Sequence, residues 1–295
     1  MTRRHIITAG EKPLMSETNV YTPESQLSSP GRLAGSMWRD LKASRSLAWR
    51  LMIRDISARY RQSALGILWA FLPPVVTAVT FVILNRSALI NIGPTRVPYP
   101  VFVLVGAVLW QLFTDSLGAP LKMIENSKSM LAKINFPREA LILSGMGQVL
   151  FDFAIRMSIV FVAFLIYRVP FTWASLAAPL IAMSLLLLGT MLGLLLAPLG
   201  ALYTDVSTAL PTVTALWFFL TPVVYPAPQH WPYSLLAQVN PVSPMLIASR
   251  DLATTGAIHN LPAFLIMCGI TLWGLLVMWV LYRVSLPILI ERMNA

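Results

Sequence analysis

Two opposite charges lie inside one of the most apolar stretches of this chain. Asp152 and Arg156 are four residues apart in the run from about Ala140 to Tyr167, which holds no other charged residue. Residues with this spacing share one face of a helix, so the two side chains can form an ion pair. Because an unpaired charge is costly at membrane depth, we predict a structural Asp152–Arg156 pair, with a polar channel lining or a proton-linked role as the alternative.

The chain offers little else for catalysis. Of its histidines, His5 lies in the N-terminal tail, and neither His230 nor His259 has an adjacent pair of acidic residues, so the acid–base groups of a polytopic membrane transferase are not visible. No Gly-x-x-x-x-Gly-Lys-Ser/Thr phosphate loop is present. The single cysteine, Cys268, excludes an intrachain disulfide. We therefore predict no catalytic residue, metal site or cofactor on this chain.

The composition indicates an integral membrane protein. Of 295 residues, 57% are hydrophobic and only 12% are charged, and the mean hydropathy of +0.70 is far above that of a soluble domain. A net charge of +10 is also typical of proteins that bind nucleic acid. However, the Lys and Arg residues lie mainly in the N-terminal part, after the second apolar run and at the C-terminus, where they report orientation; we predict no nucleic-acid binding and cytoplasmic termini.

An amphipathic helix precedes the first apolar run. Residues 46–62 place Trp49, Met52, Ile53, Ile56 and Tyr60 on one helical face and basic residues on the other, which predicts a helix lying on the membrane surface. The residues that we assign to this interface helix are Trp49, Arg50, Arg54, Arg59, Tyr60 and Arg61. At Gly66 a charge-free run begins, and we expect Pro73 and Pro74 to bend the span that it forms.

The apolar runs predict an all-α integral membrane protein with six transmembrane helices. A flexible tail, 1–45, precedes a transmembrane domain, 46–295. Two short re-entrant helices, about 231–239 and 243–255, are expected between spans five and six, because the prolines of this region break any single straight helix. The six predicted spans cover residues 63–85, 99–117, 140–167, 173–203, 206–224 and 261–282. Between spans two and three we expect a basic loop, 122–138, that contains a short helix.

Three segments resemble one family in its own order along the chain. They are the run Arg59 to Trp69 (RYRQSALGILW) with Pro74 following, the stretch from Asn126 to Phe136-Pro137-Arg138, and Asn240-Pro241 with Pro244, Arg250 and Asp251. Together they resemble the ABC-2 type permeases that export O-antigen, capsule and teichoic-acid polymers, from about Leu47 to the end of the chain.

The resemblance implies a multi-pass subunit of the bacterial inner membrane that pairs with a second copy and with two copies of a separate ABC ATPase. ATP and Mg²⁺ would be bound by that partner chain. The loop between spans two and three would dock on the ATPase, and a Phe-Pro pair in a cytosolic loop favours an apolar docking pocket. The residues that we assign to ATPase coupling are Glu125, Asn126, Lys133, Phe136, Pro137 and Arg138.

Aromatic residues are the remaining signal. Most are expected in interfacial belts or in packing, but a sugar ring can stack its C–H face on an aromatic plane. On the family resemblance we assign Tyr99, Phe102, Trp217 and Tyr225 to a glycan channel. The predicted function is export of a lipid-linked polysaccharide. A drug or lipid exporter of the same fold is the alternative, and a membrane transferase or a structural scaffold explains less of the sequence.

Overall fold

The computed structural model describes residues 30–61, 63–90, 92–133, 137–228, 230–231 and 233–294. Within these ranges every regular element is helical. The chain divides into two compact units, Met1–Arg39 and Asp40–Ala295. In the first unit the described residues are helical, and the packing described below belongs to the second.

The helices of the described ranges follow one another with short connections. In chain order they are α1 (Pro30–Arg61), α2 (Leu72–Arg86), α3 (Tyr99–Lys133), α4 (Glu139–Ile166), α5 (Ala178–Leu202), α6 (Thr204–Leu220), α7 (Tyr233–Val239), α8 (Val242–Thr255) and α9 (Leu261–Asn294). Two short 3₁₀ segments, Gly66–Ala70 and Trp173–Ala177, precede α2 and α5.

Among the described residues, four segments are long and apolar enough to cross a bilayer: Tyr99–Ser127, Glu139–Ile166, Trp173–Leu202 and Leu261–Ser285. They match predicted spans two, three, four and six, which confirms an all-helical membrane protein. The helices at the first and fifth predicted spans are shorter, with 15 residues in α2 and 17 in α6. At 1.5 Å per residue, α2 alone extends about 22 Å, less than a hydrocarbon core of about 30 Å.

The segment around Gly66 connects α1 to α2. Gly66 has φ +51°, a left-handed conformation that glycine adopts without steric cost, and it separates α1 from the apolar segment as expected. Pro73 and Pro74 lie in the first turn of α2, just after the 3₁₀ segment. Proline removes no helical hydrogen bond there, because the first amides have no intrahelical acceptor, and the bend of the first span stays a prediction.

The predicted basic loop after span two is much shorter in the structure. The helix α3 continues unbroken through Lys133 and has 35 residues, so only residues 134–138 remain to connect it to α4. No glycine or proline lies between Leu121 and Lys133, and Lys, Met, Leu, Ala and Glu are all good helix formers. At about 52 Å, α3 is roughly 20 Å longer than a bilayer core.

Two further helices are longer than predicted. The helix α1 begins at Pro30, inside the stretch assigned to a flexible tail, and α9 continues from its predicted end near residue 282 to Asn294. Two short helices, α7 and α8, lie close to the residues predicted for the re-entrant pair, and Gly256 ends α8 with φ +73°. Their re-entrant position in the membrane stays a prediction.

The core of the second unit forms around α3. Its buried side chains pack against α4, α5 and α8 in one large apolar cluster. Two glycines of α5 allow the closest approach: a Cβ at Gly189 would lie 2.6 Å from the Phe113 carbonyl oxygen, and one at Gly193 would lie 2.5 Å from that of Leu117. This small-xxx-small spacing lets two helix backbones meet directly.

Candidate functional site

The C-terminal end of α1 is tied to α4 by polar side chains. Arg59 donates from Nη1 to Asp152 Oδ2 (2.7 Å) and from Nη2 to Gln148 Oε1 (3.0 Å). Tyr60 Oη donates to Asp152 Oδ1 at 2.9 Å. Burial and the Asp152 hydrogen bond raise the pKa of the Tyr60 hydroxyl, because both favour the neutral phenol. Asp152 therefore receives a donor from α1 at each of its oxygens.

Arg156, one turn further along α4, has partners on other segments. Its Nη1 donates to Asp115 Oδ2 of α3 at 2.6 Å, and its Nε donates to the carbonyl oxygen of Ala70 at 3.0 Å. The predicted Asp152–Arg156 pair is thus not the pair that forms. Neighbouring segments offer each charge an opposite charge or a carbonyl oxygen, so α4 is joined to α1, to the 3₁₀ segment and to α3 instead of being paired internally.

These groups border an open pocket of about 200 Å³ where α1 meets the apolar segment. Its lining consists of Arg59, Tyr60, Ser63, Gly66, Trp69, Ala70, Asp152 and Arg156. Both guanidiniums have carboxylate partners, so the positive charge of this pocket is balanced. The arrangement holds the interface helix against the transmembrane core.

A second polar group lies at the turn that follows α6. Arg250 of α8 is only 3% exposed. Its Nη1 donates to the carbonyl oxygens of Pro222 (2.8 Å) and Val223 (3.1 Å), and its guanidinium carbon lies 3.8 Å from the centroid of the Phe102 ring. One buried cation therefore satisfies two carbonyls that have left the helix and also rests on an aromatic face, a favourable cation–π geometry.

Asn240 completes this turn from the loop before α8. Its Nδ2 donates to Thr221 Oγ1 at 2.8 Å and to the Leu220 carbonyl at 3.3 Å. Its Oδ1 accepts from Trp217 Nε1 and from the backbone amide of Val242, each at 3.1 Å. One amide side chain thus links the end of α6 to the start of α8, which gives a structural reason for the Asn-Pro and Arg residues in this region.

The four aromatics predicted to line a glycan channel come together around this turn. Tyr99 donates to the Val224 carbonyl at 3.1 Å, and Tyr225 donates to the Phe219 carbonyl at 2.8 Å. Phe102 is 8% exposed and covered on one face by Arg250, so its ring packs inside the subunit. Trp217 is half-buried and meets Phe113 edge-on, with 5.3 Å between ring centroids. Their contact with glycan stays a prediction.

The residues predicted to couple to an ATPase flank the short connection between α3 and α4. Glu125 and Asn126 lie on the extended part of α3, half-buried and exposed respectively, and Lys133 is its last residue. Phe136 lies outside the described residues, and Pro137 and Arg138 directly precede α4. Of the interface helix, Trp49, Arg50 and Arg54 are exposed, whereas Ala48 and Leu51 face inward and are buried.

Two arrangements were not predicted from the sequence. One is a three-helix contact in which Arg283 of α9 donates to Glu139 of α4 and to Asp40 of α1. The other is the pair Gly189 and Gly193, whose four-residue spacing is a recognisable packing signal. The sequence could also have singled out Arg283, because it is the first charged residue after the apolar run that begins at Leu261.

Comparison with known proteins shows which family the chain resembles. The sequence profile described as "ABC-2 type transporter" matches residues 46–253, from α1 into the last turn of α8. The chain is 28% identical over 224 residues to an "O-antigen export system permease protein RfbA" of Myxococcus xanthus, which covers 76% of this chain and 85% of that protein. It is 24% identical over 214 residues to a protein of the same description from Klebsiella pneumoniae, covering 70% and 79%.

Proposed function

Because this chain belongs to the ABC-2 type transporter family, we propose that it is the permease subunit of an ABC exporter that moves a lipid-linked, O-antigen-like polysaccharide across the bacterial inner membrane. The observation that carries the proposal is the long match to relatives described as O-antigen export permeases. The family match over residues 46–253 includes the interface helix, the connection after α3 and most of the transmembrane helices. In this role the chain itself catalyses no reaction.

We further propose that α2 and α6 complete a set of six spans. The 3₁₀ segment Gly66–Ala70 followed by α2 makes an apolar stretch of adequate length for the first span. The helix α6 has no buried residue within the single chain, which supports a position against a second copy of the chain or against a passage between two copies. Six spans, an even number, place both termini on the same side of the membrane. The excess of basic residues there supports the cytoplasm as that side.

The motor of the proposed exporter is a separate pair of ABC ATPase subunits, which bind ATP and Mg²⁺. The extended end of α3 supports this assignment, because it continues roughly 20 Å beyond a bilayer core. With the exposed basic residues of α1, it offers a cytoplasmic surface on which a soluble subunit can dock.

The test is export in a reconstituted system. The permease is co-expressed with a candidate ABC ATPase from the same organism, purified as a complex and inserted into proteoliposomes that carry lipid-linked polysaccharide. We expect ATP added outside the vesicles to drive the glycan from the outer leaflet into the lumen, where it becomes protected from an added glycosidase. The matched control is the same complex whose ATPase lacks the lysine of its phosphate loop, because only hydrolysis differs between the two.

Three results would contradict the proposal. Glycan translocation without the ATPase would remove the motor from the mechanism. An active ATPase complex that moves hydrophobic drugs or phospholipids but no glycan would assign the drug or lipid alternative. Incorporation of labelled sugar or acyl groups into product by the permease alone would assign a transferase.

A further inference from the structure

A buried ionic contact joins three helices near the connection between α3 and α4. Arg283 of α9 donates from Nη1 to Glu139 Oε1 at 3.1 Å and from Nη2 to Asp40 Oδ2. The Arg283 and Glu139 side chains are 9% and 6% exposed, and that of Asp40 is 24% exposed. One guanidinium thus holds carboxylates from two other helices through two separate nitrogens of a rigid planar fork, whereas an ammonium presents all its donors from one nitrogen on a flexible stem.

This contact lies next to the surface proposed for ATPase docking, where it can transmit movement between helices. Glu139 is the first residue of α4 and directly follows the connection 134–138. Asp40 belongs to the interface helix α1, and Arg283 lies near the end of the apolar segment Leu261–Ser285 of α9. The surface proposed for ATPase docking is therefore only one residue from a buried link to both the first and the last helix.

The same three helices also pack against one another through apolar side chains. Tyr282, next to Arg283, is 1% exposed and belongs to a cluster that includes Leu51 of α1 and Ala140 of α4. Ile124 of α3, on the other side of the connection, belongs to it as well. Close-packed interiors transmit displacements instead of absorbing them. A push on either end of the connection would therefore reach α1 and α9 together.

We propose that Arg283 is a positioning residue for energy coupling, which passes movement of the docking connection to α1 and to the last helix. The inference rests on the proposed function. Without Arg283, Glu139 stays buried without its cationic partner and the start of α4 is free to move relative to α9. The ATPase then still docks and hydrolyses ATP, but less of its movement reaches the transmembrane helices.

The experiment measures glycan exported per ATP hydrolysed in proteoliposomes, for the full permease–ATPase complex. The variants are R283M, which removes the charge, R283K, which keeps the charge but not the fork, and E139Q, which keeps the volume of Glu139. The control is R86M, the same substitution at exposed Arg86 at the end of α2. For R283M and E139Q we expect normal co-purification of the ATPase and a fall of about 10-fold in glycan exported per ATP, a size typical of altered coupling between sites. The ratio for R283K should be intermediate, and that for R86M should be unchanged.

A second measurement separates positioning from simple stability. In hydrogen–deuterium exchange, ATP should change the protection of both the start of α4 and the end of α9 in the wild type. In R283M the change at α4 should persist and that at α9 should disappear. A merely structural role would lower the yield of complex and leave glycan per ATP unchanged.

The inference is overturned by unchanged glycan per ATP in assembled R283M and E139Q complexes. Loss of ATPase binding in both E139Q and R283K would also overturn it, since the contact would then serve assembly alone. If the wild-type complex moves no glycan, the proposed function itself has failed and this inference falls with it. The wild-type arm of the experiment distinguishes that failure from the others.

Discussion

Replacement of Asp152 by asparagine should loosen the interface helix without unfolding the membrane domain. In the structure one carboxylate accepts from Arg59 at 2.7 Å and from Tyr60 at 2.9 Å. Asparagine keeps the volume but loses the charge, and its amide nitrogen must face one of these two donors. The end of α1 would then be held mainly by its apolar contacts.

The size of the effect follows from the exposure of the partners. The Arg59 side chain is 48% exposed, so its ion pair contributes only about 0.2–1 kcal/mol. The Tyr60 hydrogen bond adds about 1 kcal/mol, and the mismatch with the asparagine amide brings the total to about 2 kcal/mol. Since 1.36 kcal/mol corresponds to a factor of ten, the local undocking equilibrium of α1 should rise about 30-fold.

Hydrogen–deuterium exchange of peptides from residues 49–61 measures this equilibrium directly. D152N should lower their protection about 30-fold, whereas Y60F, which loses a single hydrogen bond, should lower it about 5-fold. Protection of α5, which does not contact Asp152, serves as the internal control. Unchanged protection of residues 49–61 in D152N, or an equal loss in α5, would refute the reasoning.

Three further perturbations test the fold and its contacts. A Cβ at Gly106 would overlap the Val223 carbonyl oxygen, whereas one at Gly269 would meet no atom within 4 Å. The substitution G106A should therefore lower the free energy of unfolding by about 1–3 kcal/mol and lower the melting temperature, whereas G269A should change neither. R250M should free the carbonyls of the turn after α6 and cost about 3 kcal/mol, seen as lower thermal stability and faster protease cleavage near residues 221–225. Because the pKa of Tyr60 is raised above 10, the stability that its protonated hydroxyl gives is present below pH 10 and is lost only as the pH rises past the raised value. The hydrogen-exchange protection of residues 49–61, after correction for intrinsic exchange, should therefore be the same at pH 6 and pH 9. A loss of protection by pH 9 would contradict this.

Sequence patterns predicted the elements of this fold better than their ends. The end of the basic helix near Gly66 and the two short helices α7 and α8 could be predicted from the sequence. Glycine, proline and charged residues interrupt apolar helices through local sterics and solvation, which act within a few residues. The lengths of α1, α3 and α9 were underestimated. Gly118 and Pro120 follow the predicted end of span two, yet both lie inside α3. The stretch from Leu121 to Lys133 has no glycine or proline and continues the helix, so the end of the apolar run after Leu117 did not mark the end of α3.

Side-chain pairing was the least predictable part of the candidate site. Asp152 and Arg156 have the spacing of a helical ion pair, and the sequence offers no sign that Arg59 and Asp115 lie nearer to them. The contact of Arg283 with Asp40 and Glu139 joins residues 243 and 144 positions apart. Such partners are determined by which helices pack together, and that depends on small residues such as Gly189 and Gly193.

A helical membrane protein of the ABC-2 type can be recognised from the order of residues alone, since the length of an apolar run, its lack of charge and a few local motifs each involve one helix at a time. The packing of the helices is needed to show which charges neutralise each other and which aromatic rings are buried. A buried charge takes the nearest geometrically suitable partner, and distance in space is set by helix packing instead of by separation along the chain.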